Sequence, residues 1–269
     1  MKALYIFGIA LLVTLVSCHK DKPAQPGPVV TGKLKDMTER HLPPPAYHFE
    51  YNDRGDIVKT NIYSGLLMYN VRYDGGKISR MESFGGNQDT LLYDYSYGDL
   101  VVIRIKNRDG VVYRRALATY NADHQLIELE LQVAEGNVGF YIQRTQQFSY
   151  YPDGNLKELT FHSYPVGSQT EARYKDTYSD YDNKTNAGGF ALLHPFQLEH
   201  LLLLPDFQLQ VNNAHHEVRT GDGINWVTDY TYTYDAAGRP LTRTGDVLWT
   251  AGPDTGKHFE SLETFSWYN

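Results

Sequence analysis

The chain has 269 residues, of which 41% are hydrophobic and 13% aromatic, and it carries 25 basic and 32 acidic side chains. This balance is typical of a globular protein and excludes a disordered or fibrous chain. The formal net charge of −7 offers no basic surface to a phosphate backbone, so nucleic acid is not an expected partner. Tyrosine is abundant, with 22 residues against 11 phenylalanines, and because tyrosine favours strands we expect an all-β fold.

Residues 1–17 have the features of a secretory signal peptide. Met1 and Lys2 give a short basic start, and the apolar run that follows, from Ala3 to Val16, is too short for a spanning helix. The run ends at Leu15-Val16-Ser17-Cys18, which resembles the lipobox of bacterial lipoproteins. The resemblance implies cleavage before Cys18 and acylation of its thiol, with palmitate among the acyl groups.

The single cysteine agrees with this interpretation. An exported chain with one cysteine cannot form an internal disulfide, and acylation gives the thiol a use. The alternative is an ordinary secretory peptide with an incidental cysteine. We predict lipid attachment at Cys18, which makes the membrane a partner through the N-terminal lipid. The predicted location is the cell envelope, as an outer-membrane lipoprotein, with the periplasmic and the surface-exposed face both open.

Residues 18–45 are predicted to be a Pro-rich tether. The segment after Cys18 is polar and contains too few apolar groups to offset the entropy of ordering. Pro43-Pro44-Pro45 closes it, because proline cannot donate a hydrogen bond to a strand ladder.

From Tyr47 onward the chain repeats one pattern. Tyr47-His48-Phe49-Glu50-Tyr51 alternates aromatic and polar residues, and the turn Asn52-Asp53-Arg54-Gly55-Asp56 leads into an apolar alternation. Steps of about 23 residues leave room for two strands and two turns, so each copy predicts one β-hairpin. Seven copies predict about fourteen antiparallel strands. We call the first strand of each hairpin the incoming strand, and the last tyrosines of the incoming strands are Tyr51, Tyr73, Tyr97, Tyr120, Tyr150, Tyr181 and Tyr234.

The alternation places the tyrosines on one face of the sheet and charged residues on the other. A large sheet with one apolar face must curl, close into a barrel or be covered. We therefore expect residues 46–269 to form one barrel-like domain with the repeat tyrosines in its core. The acidic turns lack the ligand spacing of a calcium loop, and turn chemistry explains their Asn, Asp and Gly residues.

One segment, at about 186–224, departs from the repeat and is predicted to be an insert. Pro195 suits the first turn of a helix and Pro205 its end, so we expect a short helix at about 195–204. Its leucines would cover part of the sheet.

Two motifs resemble known families. Tyr234-Asp235-Ala236-Ala237-Gly238-Arg239 resembles the YD repeat of Rhs-type shell proteins. Tyr181-Asp182-Asn183-Lys184-Thr185-Asn186, followed by Asn212-Asn213, resembles Bacteroidetes lipoproteins that carry a domain of unknown function described as porin-like in fold. The chain is too short for a toxin-enclosing shell and contains Gly-Arg only once. The resemblance implies a fold and an envelope location, and it brings no activity and no catalytic residues.

The sequence contains no catalytic motif that we can identify. It has neither a Gly-x-Ser-x-Gly elbow nor a free thiol once Cys18 is acylated. The histidines of the insert, His194, His200, His215 and His216, are not spaced as metal ligands. We therefore predict no catalytic residue, no metal and no cofactor. Paired carboxylates inside the curled sheet, as in a glycan-active hydrolase, stay open as the alternative, because their separation is set in space.

The working prediction is a non-enzymatic binding or scaffold module. Trp226, Trp249 and Trp267 lie outside the repeat and are the candidate binding residues, with a glycan or another envelope protein as the partner. A transmembrane barrel is the rival architecture. It is disfavoured because a lipid-facing band consists mostly of Leu, Val and Phe, whereas these strands are rich in tyrosine.

Overall fold

The computed structural model of the chain describes residues 32–84, 88–136, 139–165, 170–189, 203–204 and 209–268, with the backbone alone for Tyr63. The described residues form sixteen strands and one short 3-10 helix, at Tyr63–Gly65. The strands are β1 (Leu34–Glu39), β2 (Tyr47–Tyr51), β3 (Ile57–Ile62), β4 (Leu67–Asp74), β5 (Lys77–Ser83), β6 (Thr90–Tyr97), β7 (Leu100–Lys106), β8 (Val112–Tyr120), β9 (Leu126–Glu135), β10 (Gly139–Tyr150), β11 (Leu156–Ser163), β12 (Ala172–Tyr181), β13 (Ala214–Gly221), β14 (Asn225–Tyr234), β15 (Pro240–Ala251) and β16 (His258–Trp267).

Each strand pairs antiparallel with its neighbours in sequence, and β1 pairs with β16 to close the sheet into a barrel. The predicted all-β, barrel-like fold is confirmed. The predicted number of about fourteen strands is too low, because the seven hairpins account for β2 to β15 and omit the two strands that close the barrel.

The first closing strand, β1, lies within the segment predicted to be tether, so the boundary at residue 46 is too late. Leu34 and Met37 are both buried although they stand three residues apart. A bulge between Leu34 and Asp36 brings both side chains to the inner face and hides the two-residue period. Before β1, the N–H of Gly32 donates to the Tyr268 carbonyl at 2.8 Å.

The predicted insert at about 186–224 also needs correction, because β13 occupies its last part. The connection between β12 and β13 is residues 182–213, and β13 turns Glu217 and Arg219 inward where the repeat has apolar residues. Most of the predicted helix at about 195–204 lies outside the described residues. At its end, Leu204 is buried and the Tyr93 hydroxyl donates to the Leu203 carbonyl at 2.8 Å.

Six tyrosines at or near the ends of the incoming strands share one structural role. Each hydroxyl donates to a backbone carbonyl at the start of the preceding strand, and the indole Nε1 of Trp267 does the same toward Pro240 at 2.9 Å. The tyrosine pairs are Tyr51 to Leu34 (2.8 Å), Tyr73 to Ile57 (2.9 Å), Tyr95 to Ile78 (2.9 Å), Tyr150 to Leu126 (2.7 Å), Tyr181 to Leu156 (2.6 Å) and Tyr232 to Ala214 (2.9 Å). These bonds tie β2, β4, β6, β10, β12, β14 and β16 each to the strand before it.

The turns inside the predicted repeats, at 52–56, 75–76, 98–99, 121–125, 151–155 and 235–239, lie at one end of the barrel, which we call the turn end; the opposite end is the loop end. In the first turn, Asn52 Oδ1 accepts hydrogen bonds from the N–H groups of Arg54 and Asp56 at 2.9 and 3.0 Å. Gly55 takes a positive φ of 81° in the same turn, which L side chains rarely adopt. The chain also enters the barrel at the turn end, because Gly32 lies beside the 235–239 turn.

The inner face of the barrel has an apolar sector and a polar sector. From β1 through β11 the inner face is packed mainly with apolar side chains, with buried polar exceptions such as Arg144 and Gln146 on β10. Twelve of the largest side chains are almost completely buried: Met37, Tyr47, Ile62, Tyr69, Met81, Leu91, Ile103, Ile105, Leu129, Leu131, Leu156 and Leu159. The outer face carries exposed ion pairs between neighbouring strands, such as Arg104 with Asp94 and Lys59 with Glu50, both at 2.8 Å. The polar sector, on β12 to β16, holds the candidate site.

Candidate functional site

The centre of the polar sector is a buried ion pair between β12 and β13. Asp176 and Arg219 stand opposite each other in the strand register. Arg219 donates two hydrogen bonds to the Asp176 carboxylate, from Nε at 2.6 Å and from Nη2 at 2.5 Å. Both side chains are less than 10% exposed, so the pair is shielded from water. Two parallel hydrogen bonds fix the plane of the guanidinium group.

Aromatic rings enclose the guanidinium group of Arg219 on both faces. Its carbon lies 3.9 Å from the ring centroid of Tyr174 and 3.8 Å from that of Trp226. The stack continues through Phe161, whose ring lies 4.5 Å from that of Tyr174 at an angle of 16°. The result is a continuous stack of rings and a cation across β11 to β14, which favours a single rotamer for each member.

Glu217 fixes the position of Trp226. Its carboxylate accepts hydrogen bonds from Trp226 Nε1 at 3.1 Å and from the Tyr230 hydroxyl at 2.7 Å. With its nitrogen held and one face covered by Arg219, the indole ring of Trp226 is positioned before any ligand arrives.

A second ion pair lies closer to the turn end of the barrel. Arg243 on β15 contacts Glu263 on β16, and Tyr230 places its ring 4.9 Å from the guanidinium carbon. Burial and the nearby Glu263 raise the pKa of Glu39, which faces the same pair from β1. The carboxylates of the polar sector therefore stand among arginines and aromatic donors.

Among these carboxylates, Asp176 has the chemistry closest to a catalytic acid. Burial raises its pKa to about 6, and Arg219 opposes the shift. A raised pKa suits a general acid. Both carboxylate oxygens accept from Arg219, however, and the group is 2% exposed, so the geometry gives Asp176 no contact with a substrate.

The loop end of the polar sector is aromatic. Trp226 on β14 and Trp249 on β15 face each other in the strand register, and both are half-buried. Phe259 packs edge-on against Trp249 with ring centroids 5.7 Å apart, and Ile224 precedes β14. Phe259 is 45% exposed and Ile224 is 40% exposed. We call Ile224, Trp226, Trp249 and Phe259 the aromatic patch.

The structure brings together two of the three predicted binding residues. Trp226 and Trp249 are neighbours in the aromatic patch, whereas Trp267 lies at the turn end and bonds to the Pro240 carbonyl. The predicted lipid-attachment residue, Cys18, lies outside the described residues, as do His194 and His200.

The remaining insert histidines have structural partners. His216 Nδ1 lies 2.7 Å from Asp229 Oδ1, and His215 Nδ1 lies 2.9 Å from the Tyr230 carbonyl oxygen. Within the described ranges, no three His, Cys, Asp or Glu side chains are grouped so that they could hold a metal ion.

The buried residues around the patch were not recognised in the sequence. Asp176 and Arg219 are separated by the long connection at 182–213, so their pairing depends on the strand register. In the sequence, Glu217 and Arg219 alternate with apolar residues. This pattern is equally typical of a strand whose charged face lies in solvent.

Comparison with known proteins identifies the fold. A porin-like protein from Bacteroides uniformis ATCC 8492 has a similar structure, with a TM-score of 0.57 and 14% sequence identity, over 90% of this chain and 100% of that one. The predicted porin-like fold is thereby confirmed. No protein-family model matches the sequence. The putative septation protein SpoVG of Bacillus subtilis (strain 168) is 29% identical over 76 residues, which cover 28% of this chain and 71% of that protein.

Within the described residues, no helix combines the length and the apolar character needed to cross a membrane.

Proposed function

We propose that this chain is a lipid-anchored protein of the cell envelope that acts as a non-enzymatic binding module. The observation that carries the proposal is the polarity of the barrel wall. Apolar side chains fill most of the inner face, and ion pairs such as Arg104 with Asp94 lie on the outer face. A barrel inserted in lipid needs the opposite arrangement, an apolar band on the outside. The barrel therefore stands beside the membrane, and an acylated Cys18 supplies the attachment.

The state of the inner carboxylates supports binding over catalysis. Asp176 and Glu263 are paired with Arg219 and Arg243, and Glu217 accepts from Trp226 and Tyr230. These groups stiffen the wall behind the aromatic patch.

The anchor is tested by metabolic labelling. Cells that express the full chain should incorporate a labelled fatty acid into it, and Cys18→Ala should abolish the incorporation and release the protein from the membrane fraction. Gln25→Ala, in the predicted tether, serves as a control that leaves Leu15-Val16-Ser17-Cys18 intact. Labelling that persists in Cys18→Ala would refute the anchor.

The raised pKa of Asp176 favours one alternative, a glycan-active hydrolase. It is tested by measuring the release of reducing ends from polysaccharides with the unaltered chain, Asp176→Asn and Glu217→Gln. We expect no release from any of them. If the unaltered chain released reducing ends and both variants did not, the protein would be a hydrolase and the proposed binding function would be wrong.

A further inference from the structure

A cavity of about 320 Å³ lies at the turn end of the barrel, between three of the hairpin turns. Its aromatic and apolar lining consists of Tyr73 on β4, Ile78 on β5, Tyr95 on β6, Val101 on β7, Tyr120 on β8 and Leu204 of the long connection. We call this cavity the tyrosine pocket. It is separate from the aromatic patch, which lies at the opposite end of the barrel.

Two of the tyrosine rings are held in place before any ligand binds. The Tyr73 hydroxyl donates to the Ile57 carbonyl, and the Tyr95 hydroxyl donates to the Ile78 carbonyl, both at 2.9 Å. Both rings are half-buried, so each keeps an accessible part. Rigid aromatic rings lose little entropy when a ligand packs on them. A groove lined by such rings is the kind of surface that binds a polyproline II helix.

The chain contains one segment with the matching pattern. Pro23-Ala24-Gln25-Pro26 has two prolines three residues apart, and no other pair of prolines in the sequence has this spacing. A polyproline II helix has three residues per turn, so the rings of Pro23 and Pro26 lie on one side of it. Proline also fixes the backbone φ angle, which lowers the entropy lost on binding.

The segment begins close enough to reach the tyrosine pocket. Gly32 and Lys33 lie beside hairpin turns of the turn end, so the chain joins the barrel at the end that holds the pocket. From β1 to β5 there are four strand spacings, roughly 19 Å along the sheet. Six residues of polyproline II from Pro26 to Gly32 also cover roughly 19 Å. Pro23 extends to roughly 28 Å, which corresponds to β7.

The charges of the segment and of the pocket rim are complementary. Lys20 and Lys22 precede the prolines, and Asp21 is the single acidic residue of residues 18–31. The turns around the pocket carry three exposed aspartates, Asp74, Asp99 and Asp123. A segment that runs from Gly32 across the pocket carries its lysines toward the last two of these turns.

From these observations we propose that Pro23-Ala24-Gln25-Pro26 binds in the tyrosine pocket of the same chain. The proline rings pack on the tyrosine rings, and backbone carbonyls, which a polyproline II helix leaves unbonded, accept from Lys77 and His124 at the rim. Because both partners belong to one chain, the effective concentration is on the order of millimolar, and a weak site is sufficient.

The inference does not depend on the proposed lipid anchor. If Cys18 is acylated, only residues 19–22 separate the lipid from the bound segment. Binding of the segment then holds the turn end against the membrane.

The test measures the distance between two spin labels in the full chain in mild detergent, by double electron–electron resonance. Cys18→Ala removes the native thiol, Asp21→Cys places one label before the prolines, and Leu66→Cys places the other at the loop end, where the side chain is 68% exposed. We expect a narrow distance distribution, and we expect its width to at least double when Pro23→Ser and Pro26→Ser are combined. Both positions precede β1, so these substitutions leave the barrel intact.

Pro28→Ser is the matched control in the tether, because Pro28 lies on a different side of the polyproline II helix and should leave the width unchanged. Tyr95→Ala tests the pocket itself and should broaden the distribution as the double proline variant does, with circular dichroism to verify the fold. Tyr97→Ala is its control, since Tyr97 is 56% exposed and does not line the pocket.

Three results would overturn the inference: a broad distribution in the otherwise unaltered chain, a width that the double proline variant leaves unchanged, or a width that folded Tyr95→Ala leaves unchanged. The double proline variant decides the matter if Tyr95→Ala does not fold. Dilution with a tenfold excess of unlabelled chain should preserve the narrow distribution. Its loss on dilution would show that the segment binds a second copy, which also contradicts the inference.

Discussion

A strand-end tyrosine combines an apolar ring with a hydroxyl group that reaches across to the preceding strand. Tyr150 shows the arrangement clearly, because its ring is half-buried and its hydroxyl donates to the Leu126 carbonyl at 2.7 Å. Burial also raises the pKa of this hydroxyl well above its ordinary value, so it stays protonated and able to donate. Phenylalanine would provide the ring without the hydrogen bond.

We predict that Tyr150→Phe lowers the free energy of unfolding by about 1 kcal/mol, the usual contribution of one such hydrogen bond. Urea denaturation followed by circular dichroism measures the change. Tyr97→Phe is the matched control, because Tyr97 is 56% exposed, and its substitution should change stability by less than about 0.5 kcal/mol. Equal effects of the two substitutions would contradict the structural role.

The second residue-scale prediction concerns Arg219. Its removal leaves Asp176 buried without its counterion, and breaking a buried pair in this way typically costs about 3–5 kcal/mol. We therefore expect Arg219→Met to destabilise the barrel strongly in thermal or chemical unfolding. Asp176→Leu combined with Arg219→Met should recover most of the loss, because no charge is then left unpaired. A double variant less stable than Arg219→Met alone would show that the pair stabilises the fold directly.

At the level of elements, the sequence predicts the strands that belong to complete hairpins. Turns such as 52–56 can be predicted from their residues, because Asn52 accepts the hydrogen bonds of the turn and Gly55 takes the positive φ. The alternating tyrosines indicate which face of each strand is buried. The two closing strands lack these signals. β1 contains a bulge, and β16 carries Trp267 in the position of a strand-end tyrosine.

The candidate site was only partly predictable for the same reason. Trp226 and Trp249 stood out because they lie outside the repeat, yet their pairing depends on the register of β14 with β15. Arg219 and Glu217 are inward-facing charges on a strand that follows a long connection. Burial of a charge becomes favourable only through partners such as Asp176, which a local pattern cannot reveal.

The base of the long connection between β12 and β13 depends on Asp182. Its carboxylate accepts hydrogen bonds from the backbone N–H of Lys184 at 2.9 Å and of Asn213 at 3.1 Å, and from the Tyr234 hydroxyl. Burial raises the pKa of Asp182, but these hydrogen bonds outweigh burial and bring the pKa below its ordinary value.

A carboxyl group with a lowered pKa in the folded state stabilises the protein above the unfolded pKa, near 4, and this contribution is lost as the pH falls through the folded pKa. We expect Asp182→Asn to be less stable than the unaltered chain at pH 7 and to lose less stability between pH 5 and pH 2. Chemical denaturation at several pH values measures both. Asp123→Asn, on an exposed turn, should keep the pH dependence of the unaltered chain. A pH dependence unchanged in Asp182→Asn would refute the assignment.

At the scale of the whole molecule, the two ends of the barrel differ in the residues that they expose, and the N-terminal segment joins the barrel at one of them. The N-terminal segment enters at the turn end, where Gly32 bonds to Tyr268, and the aromatic patch lies at the loop end. Residues 18–31 can span at most about 50 Å when fully extended. Reaching around a barrel about 25 Å tall would use much of that length and restrict the chain, at an entropic cost. With the proposed lipid anchor at Cys18, the turn end should therefore lie nearer the membrane, and the patch should face away from it.

This orientation can be measured because the chain has a single cysteine, which acylation would block. A cysteine introduced elsewhere is then the only free thiol. We propose Tyr97→Cys at the turn end and Leu66→Cys at the loop end, since these side chains are 56% and 68% exposed. After donor labelling and reconstitution into vesicles that contain acceptor-labelled lipid, energy transfer should be stronger from position 97 than from position 66. Stronger transfer from position 66 would place the aromatic patch at the membrane and refute this orientation.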